Sequence, residues 1–173
     1  MLPSLHRLSS LHSLKVQYGF ELPSDTNAFP SNLTKTTLMI DGFSDPQPSL
    51  NTLGRLTNLQ ILKLIALHDD INNFFVDAIV FHTCYGLVLD IGMGEFPQLQ
   101  VLQMREIKVR QWRFEGDAMP RLRHLLIDRC EYLSEVPVEL WSLTALRLVH
   151  VLRPSTELAN SLQNVEPRNG CKL

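Results

Sequence analysis

The chain has 173 residues, 45% of them hydrophobic, which is enough for one domain with a sizeable core. Its net charge of -2 and pI of about 6.3 exclude a whole-chain basic field of the kind that attracts nucleic acid or acidic membranes. The N-terminus has no continuous apolar core of a secretory signal, and the three cysteines (Cys84, Cys130 and Cys171) lack metal-type C-x-x-C spacing. We therefore expect reduced thiols and a cytoplasmic or nuclear location.

Six short apolar cores recur along the chain with the spacing L-x-x-L-x-L. On a strand the last two apolar residues of such a core point to the same side, so each core predicts a strand with one buried face. The middle residues fall at positions 14, 36, 62, 102, 125 and 149, in steps of 22, 26, 40, 23 and 24 residues. All steps but one fit a repeat of roughly 20–29 residues. The cores are Leu11-Leu14-Val16, Leu33-Thr36-Leu38, Leu59-Leu62-Leu64, Leu99-Leu102-Met104, Leu122-Leu125-Ile127 and Leu146-Val149-Val151.

Two kinds of segment approach these cores. Ladders of leucines three residues apart favour a 3₁₀-like or single helical turn, because every third residue then faces the same way. The ladders are Leu2-Leu5-Leu8-Leu11, Leu50-Leu53-Leu56-Leu59 and Leu140-Leu143-Leu146. The other cores follow an aromatic residue or Met and then Pro, at Phe29-Pro30, Phe96-Pro97 and Met119-Pro120.

Two places depart from the repeat. Thr36 stands where the ladder of cores requires a large aliphatic residue, which weakens that strand locally. The step of 40 residues contains an apolar segment at about 69–94 with no core of its own. We interpret this segment as a loop or an irregular helix-plus-strand insertion that packs on the edge of the solenoid formed by the repeats, with a gene-model artefact as the alternative. Asp77 and His82 interrupt its apolar run, which argues against a membrane span.

The most complete unit is Leu122-x-x-Leu125-x-Ile127-x-x-Cys130-x-x-Leu133, which has the form of a leucine-rich repeat. A single strand of this kind cannot bury its apolar row, but stacked copies merge their rows into one core. The sequence therefore predicts an α/β fold, a curved leucine-rich-repeat solenoid with a parallel sheet on the concave face and short helical turns and loops on the convex face. We assign the repeats to residues 1–152.

The tail loses the repeat after Val151. Residues 153–173 predict a capping segment, in which Leu158, Leu162 and Val165 have helical spacing and Ser155 or Thr156 precedes them as a candidate N-cap. Such a helix would cover the open end of the last strand.

The stretches FPSNLTKTTL, LGRLTNLQILKL, GEFPQLQVLQM and MPRLRHLLIDRCEYLSEVPVELWSLTALRLVHV resemble the repeats of plant coiled-coil, nucleotide-binding disease-resistance proteins. The resemblance covers about residues 1–68 and 95–152. It implies a non-enzymatic module that recognises a pathogen effector or a host protein and restrains a nucleotide-binding switch domain. No G-x-x-x-x-G-K-[ST] motif is present, so no nucleotide or other cofactor is expected. A Met start within repeat material suggests a truncated member of the family.

Residues that alternate with the buried pair of each core are the candidates for binding. Cationic side chains dominate the first four strands, and the last two strands become apolar and carry histidines. We expect a monomer that binds protein, with neither nucleic acid nor membrane as partner. The predicted binding residues are Lys15, Lys35, Lys63, Gln103, Arg105, His124, Asp128, His150 and, as an aromatic contact anchor, Trp112.

Other interpretations remain open. The same lysines are ordinary solvated positions on any repeat, so a general scaffold or adaptor with no immune role, or a non-functional receptor fragment, is an alternative. His82 and Cys84 could in principle pair as base and nucleophile, but no third orienting group is evident. His124 and Asp128 share a face of one strand, yet two ligands do not make a metal site.

Overall fold

A computed structural model describes residues 5–17, 22–40, 45–67, 86–165 and 170–173. In these ranges the chain forms eight strands, two α-helices and three 3₁₀ turns. The strands are β1 (Ser13–Val16), β2 (Lys35–Ile40), β3 (Ile61–Ala66), β4 (Leu87–Ile91), β5 (Val101–Arg105), β6 (Val109–Phe114), β7 (His124–Asp128) and β8 (Leu148–Leu152). The helices are α1 (Gln47–Gly54) and α2 (Thr156–Gln163), and the 3₁₀ turns span Leu5–Arg7, Thr26–Ala28 and Val138–Ser142.

Six of the strands form one parallel sheet in the order β1-β2-β3-β5-β7-β8. All six predicted middle residues stand in one row of the sheet, because the pairing sets Leu14 beside Thr36 and continues through Leu62, Leu102, Leu125 and Val149. Residues separated by the predicted steps, including the step of 40 residues, are thus paired neighbours in the sheet. The α/β class and the parallel sheet are confirmed.

Neighbouring strands are joined by the same hydrogen-bond pattern at every step of the sheet. The carbonyl group just before one strand accepts two backbone N–H groups from the start of the next, with N···O distances of 2.8–3.1 Å. The residue directly before one strand therefore fixes where the next strand begins. The shared carbonyls are those of His12, Thr34, Gln60, Gln100 and Arg123.

The connections between these strands form a second layer. Strands β4 and β6 pair in parallel as a separate two-stranded sheet, and α1 contacts β4. The Gln47 side chain imitates a neighbouring strand, since its Nε2 donates to the Asp90 carbonyl at 2.6 Å and its Oε1 accepts from the Asp90 N–H at 3.1 Å. Buried side chains from both layers belong to one hydrophobic core, with Leu53, Leu89 and Phe114 among those from the second layer.

The predicted insertion at 69–94 is described only in part, because residues 69–85 lie outside the described residues. The described part contains β4, which pairs with β6 in the second layer. The insertion leaves the six-stranded sheet continuous, because β3 pairs directly with β5. That the insertion packs on the edge of the solenoid stays a prediction.

The leucine ladders form helical turns, as predicted: described parts of the three ladders lie in the turn Leu5–Arg7, in α1 and in the turn Val138–Ser142. Two of the residues that precede proline, Phe96 and Met119, adopt left-handed backbone angles, with φ of 55° and 48°, and are fully buried. Tight packing holds these side chains in a conformation that costs an L-residue roughly 1–2 kcal/mol.

The C-terminal part lies beside β8. Ser155 is the N-cap of helix α2: its hydroxyl accepts the Leu158 N–H at 3.1 Å and donates to the Leu133 carbonyl at 3.0 Å. Lys172 then lies along the free edge of β8: its carbonyl accepts the Val149 N–H at 2.8 Å, and its N–H donates to the Arg147 carbonyl at 2.9 Å. Within the described ranges, neither helix has the length and apolar character needed to cross a bilayer.

Candidate functional site

The six-stranded sheet turns one side to the core and the other outward, and we call the outward side the open face. Two outward side chains from every strand, and a third from most of them, line up as parallel rows because the register is continuous. The first row is Ser13, Lys35, Ile61, Val101, His124 and Leu148. The second is Lys15, Thr37, Lys63, Gln103, Leu126 and His150. The third is Met39, Ile65, Arg105, Asp128 and Leu152.

Eight of the nine predicted binding residues lie on the open face. Lys15, Lys63, Gln103 and His150 share the second row, and Lys35 and His124 share the first. Among the strand residues in these rows the cations are Lys15, Lys35, Lys63 and Arg105, and the one carboxylate is Asp128. The open face is therefore positive although the chain as a whole is negative. That these residues bind a partner stays a prediction.

The open face also carries apolar side chains. Ile61 and Val101 are neighbours in the first row, Leu148 follows His124 at the end of that row, and all three are partly exposed. Leu152, at the end of the last strand, is 45% exposed. A surface that mixes apolar and charged side chains in this way can serve as a protein interface.

Asp128 departs from the prediction, because it is not an exposed contact residue. Its side chain is 2% exposed and lies under a group of arginines at the carboxyl ends of β5, β7 and β8. Arg153 donates hydrogen bonds from Nη2 to both carboxylate oxygens, at 2.8 Å to Oδ1 and 3.0 Å to Oδ2. Arg105 Nε lies 3.3 Å from Oδ2, and Arg129 Nε lies 3.9 Å from Oδ1. The carboxylate is buried because its charge is balanced by these guanidinium groups.

Residues that follow directly after a strand build this cluster. Glu106, Arg129 and Arg153 come immediately after β5, β7 and β8, and all three have left-handed backbone angles, with φ of 60°, 52° and 49°. Arg129 also forms an ion pair with Glu106. Sequence reasoning missed Arg129 and Arg153, although they recur at the same position of successive repeats, one residue past the strand, and that recurrence was the available signal.

Cys130 is buried close to the same cluster of charged residues. Its Sγ lies 3.7 Å from the Asp128 carbonyl oxygen, to which it donates. Burial raises the pKa of the Cys130 thiol to about 11, so the thiol is protonated at neutral pH. Cys130 is therefore a packing residue of the turn and not a nucleophile.

Trp112 does not belong to the open face, and its predicted place there is wrong. It lies in β6 of the second layer and is 7% exposed, with Nε1 lacking a partner among the described residues. The apolar ring is held in the core, which leaves little of it for a contact. Residues His82 and Cys84 lie outside the described residues, and in the described part no three His, Cys, Asp or Glu side chains gather as metal ligands.

Comparison with known proteins places the chain beside plant resistance proteins. It is 25% identical over 124 residues to the late blight resistance protein homolog R1B-16 of Solanum demissum, a match that covers 72% of the chain. It is 26% identical over 124 residues to the homolog R1B-13 of the same plant, again covering 72% of the chain. It is 30% identical over 125 residues to the disease resistance protein RPP8 of Arabidopsis thaliana, covering 71% of the chain.

The chain is similar to a region of plant disease resistance proteins. The match takes up 9% of R1B-16, 10% of R1B-13 and 12% of RPP8, so the chain spans about a tenth of the length of these relatives. No protein-family model matches the chain.

Proposed function

We propose that the chain is a leucine-rich-repeat solenoid that serves as a protein-recognition module of a plant disease-resistance receptor. In this proposal it is not an enzyme and needs no cofactor. It acts in the cytoplasm or nucleus, and its open face binds either a pathogen effector, a host protein or the switch domain of a receptor. The observation that carries the proposal is the continuous register of six parallel strands, which gathers residues distant in sequence into one surface.

The two inward rows and the outward rows have separate tasks in this proposal. Leu62, Leu102 and Leu125 are almost completely buried and hold neighbouring strands together. The outward residues, which alternate with the buried ones along each strand, do not hold the strands together. They can therefore vary without loss of the core. Specificity then resides in the outward side chains.

The chemistry of the open face favours an acidic protein surface as the ligand. Lys15 and Lys63 lie in the same row on β1 and β3, with the uncharged Thr37 between them. Cations spaced in this way accelerate the encounter with an acidic partner and oppose docking of a basic one. The partly exposed apolar residues beside them supply area that a protein, but not a small ion, can bury.

A complementation experiment in plants tests this proposal. Plants that lack the gene are expected to be more susceptible to a pathogen, and the wild-type gene to restore resistance. A Lys15→Glu, Lys63→Glu double variant should fail to restore it, because it reverses two charges of the open face. Lys108→Glu serves as the control, since Lys108 is an exposed residue between β5 and β6, outside the open face, and this variant should restore resistance.

Two results would contradict the proposal. Unchanged resistance after loss of the gene would favour a general scaffold or a non-functional fragment. Full complementation by a correctly folded double variant would mean that the open face is not the recognition surface. Circular dichroism of each purified variant separates loss of binding from loss of folding.

A further inference from the structure

We propose that Arg105, Arg129 and Arg153 form a binding site for a carboxylate side chain of an acidic, partly apolar peptide in a partner protein. Asp128 is the positioning residue that holds the three guanidinium groups together. This inference rests on the proposed function, because it names the part of the recognition surface that reads the acidic groups of the ligand.

The three arginines have donors to spare. A guanidinium group carries five N–H donors, whereas a carboxylate offers about four acceptor positions. Asp128 accepts hydrogen bonds from Arg153, while Arg105 and Arg129 approach it only as ion pairs at 3.3 and 3.9 Å. Counting Glu106, the cluster holds three positive and two negative charges, so one positive charge remains uncompensated.

The arginines are also accessible. The Arg105 and Arg129 side chains are each 45% exposed, and that of Arg153 is 60% exposed, although the Asp128 carboxylate they share is almost completely covered. The shared carboxylate holds the guanidinium groups close together, and their mutual repulsion is partly cancelled. A second carboxylate arriving from solvent meets positive groups that are already positioned, which lowers the entropic cost of binding.

The surroundings favour a peptide over a polyanion. Leu152 is exposed beside the cluster, and Ile65 precedes it in the same row, so an apolar side chain next to the acidic one can be buried. Arginine forks match the planar carboxylate in two-point contacts, which a point charge cannot reproduce. The net charge of the whole chain is -2, which opposes a long nucleic acid or an anionic membrane.

Binding of a fluorescent peptide to the purified full chain tests the site. The probe is a short peptide of alternating Glu and Leu, and a peptide with Gln in place of Glu is its control. We expect the Glu peptide to bind at least about tenfold more tightly than the Gln peptide. The affinity of the Glu peptide should fall as salt is added. Arg105→Gln and Arg153→Gln should each weaken binding about tenfold. Lys108→Gln removes the same charge at an exposed position outside the open face and should change binding less than about twofold.

Asp128→Asn separates positioning from simple charge. This substitution makes the cluster more positive, so a site that depended on charge alone would bind the Glu peptide more tightly. A site that depends on the arrangement of the arginines should bind it less tightly in Asp128→Asn, about as weakly as in Arg153→Gln. If Asp128→Asn does not fold, Arg153→Lys is used in its place. This substitution keeps the positive charge but removes the two-point contact of the guanidinium group, so binding of the Glu peptide should still weaken.

Several results would overturn the inference. Equal binding of the Gln peptide would remove the carboxylate as the recognised group, and an equal loss of binding in Lys108→Gln would show that the effect is diffuse electrostatics. Tighter, arginine-dependent binding of single-stranded DNA or of anionic lipid vesicles would replace the peptide with another partner. The complementation experiment in plants is independent of these measurements, so a failure of this site and a failure of the proposed function can be told apart.

Discussion

Thr36 occupies a central position of the inward row, between Leu14 and Leu62, where its neighbours are aliphatic. Its side chain is fully buried, and its hydroxyl has no hydrogen-bond partner among the described residues. A buried hydroxyl without a partner keeps its desolvation cost, so Thr36→Val should raise the free energy of unfolding by about 1 kcal/mol. Urea denaturation measures the change.

Thr34→Val provides the matched control for Thr36. The Thr34 hydroxyl donates to the His12 carbonyl at 3.3 Å, so its removal should leave stability unchanged or lower it by up to about 1 kcal/mol. An increase of similar size in both variants would mean that a general effect of replacing threonine by valine, and not the buried hydroxyl, is responsible.

Cys130 makes stability depend on pH in the alkaline range. Burial raises the pKa of its thiol from 9.0 to about 11 in the folded chain, so between these values the unfolded chain binds fewer protons than the folded one. The stabilisation is complete below pH 9 and is lost as the pH rises through 11, by about 2–3 kcal/mol in all. Denaturation at about pH 8.5 and 11 should show a steeper fall for the wild type than for Cys130→Ala.

Cys171→Ala is the comparison for this alkaline effect. Burial also raises the pKa of the Cys171 thiol, but this residue is only partly buried. The alkaline loss of stability should therefore remain nearly complete in Cys171→Ala. A wild-type slope in Cys130→Ala would assign the effect to other groups.

Asp128 shows where residue-level prediction from sequence stopped. Its position on the open face followed from the alternation of the strand, and that position is correct. Its burial could not be predicted, because it depends on arginines from two neighbouring repeats that converge only when the strands are in register.

At the scale of elements, β4 adds to the core a strand whose place in the second layer was not predicted from the sequence. Leu89 and Ile91 are almost completely buried, whereas Val88, directly before Leu89, is 38% exposed. Leu89→Ala should lower the free energy of unfolding by about 2–5 kcal/mol, because it opens a cavity between the layers. Val88→Ala should cost less than about 1 kcal/mol. Equal losses in the two variants would show that β4 does not pack with this face inward.

Ser155 fixes the start of α2 through two hydrogen bonds, one to its own helix and one to the Leu133 carbonyl. Ser155→Ala should therefore lower the free energy of unfolding by about 1 kcal/mol. Ser161 lies within the helix, and its hydroxyl donates to the Leu158 carbonyl of the same helix. Ser161→Ala should be nearly neutral, since alanine is the better helix former. Thermal melts of both variants make the comparison, and an equal loss would refute the capping role.

The strands of the open face were predictable because each carries the L-x-x-L-x-L spacing, and so were the helical turns, because the ladders repeat every third residue. Strand β6 was not predicted, and β4 was predicted only as part of an irregular insertion. In β6 the buried residues are Val109, Trp112 and Phe114, a spacing that follows neither strict alternation nor the repeat. Their pairing is set by the stacking of connections, which is a property of neighbouring repeats and not of the local sequence.

For the molecule as a whole, strands should differ in protection although they look alike in sequence. β1 has four residues and pairs on one side only within the described part of the chain, whereas β3 pairs along its length with β2 and β5. Amide hydrogen exchange should therefore be fastest in β1 and slowest in β3, β5 and β7. Mass spectrometry of exchanged peptides measures this order, and uniform protection across the sheet would contradict it.

The shared carbonyls have a consequence for how such a gene can change. The register between two neighbouring strands is set by the shared carbonyl just before the first of them. The register therefore does not depend on how many residues connect the two strands. The connection that contains β4 is the longest of the five and leaves the register intact. In-frame insertions and deletions in the connections between strands would therefore alter the second layer and leave the order of the side chains on the open face unchanged.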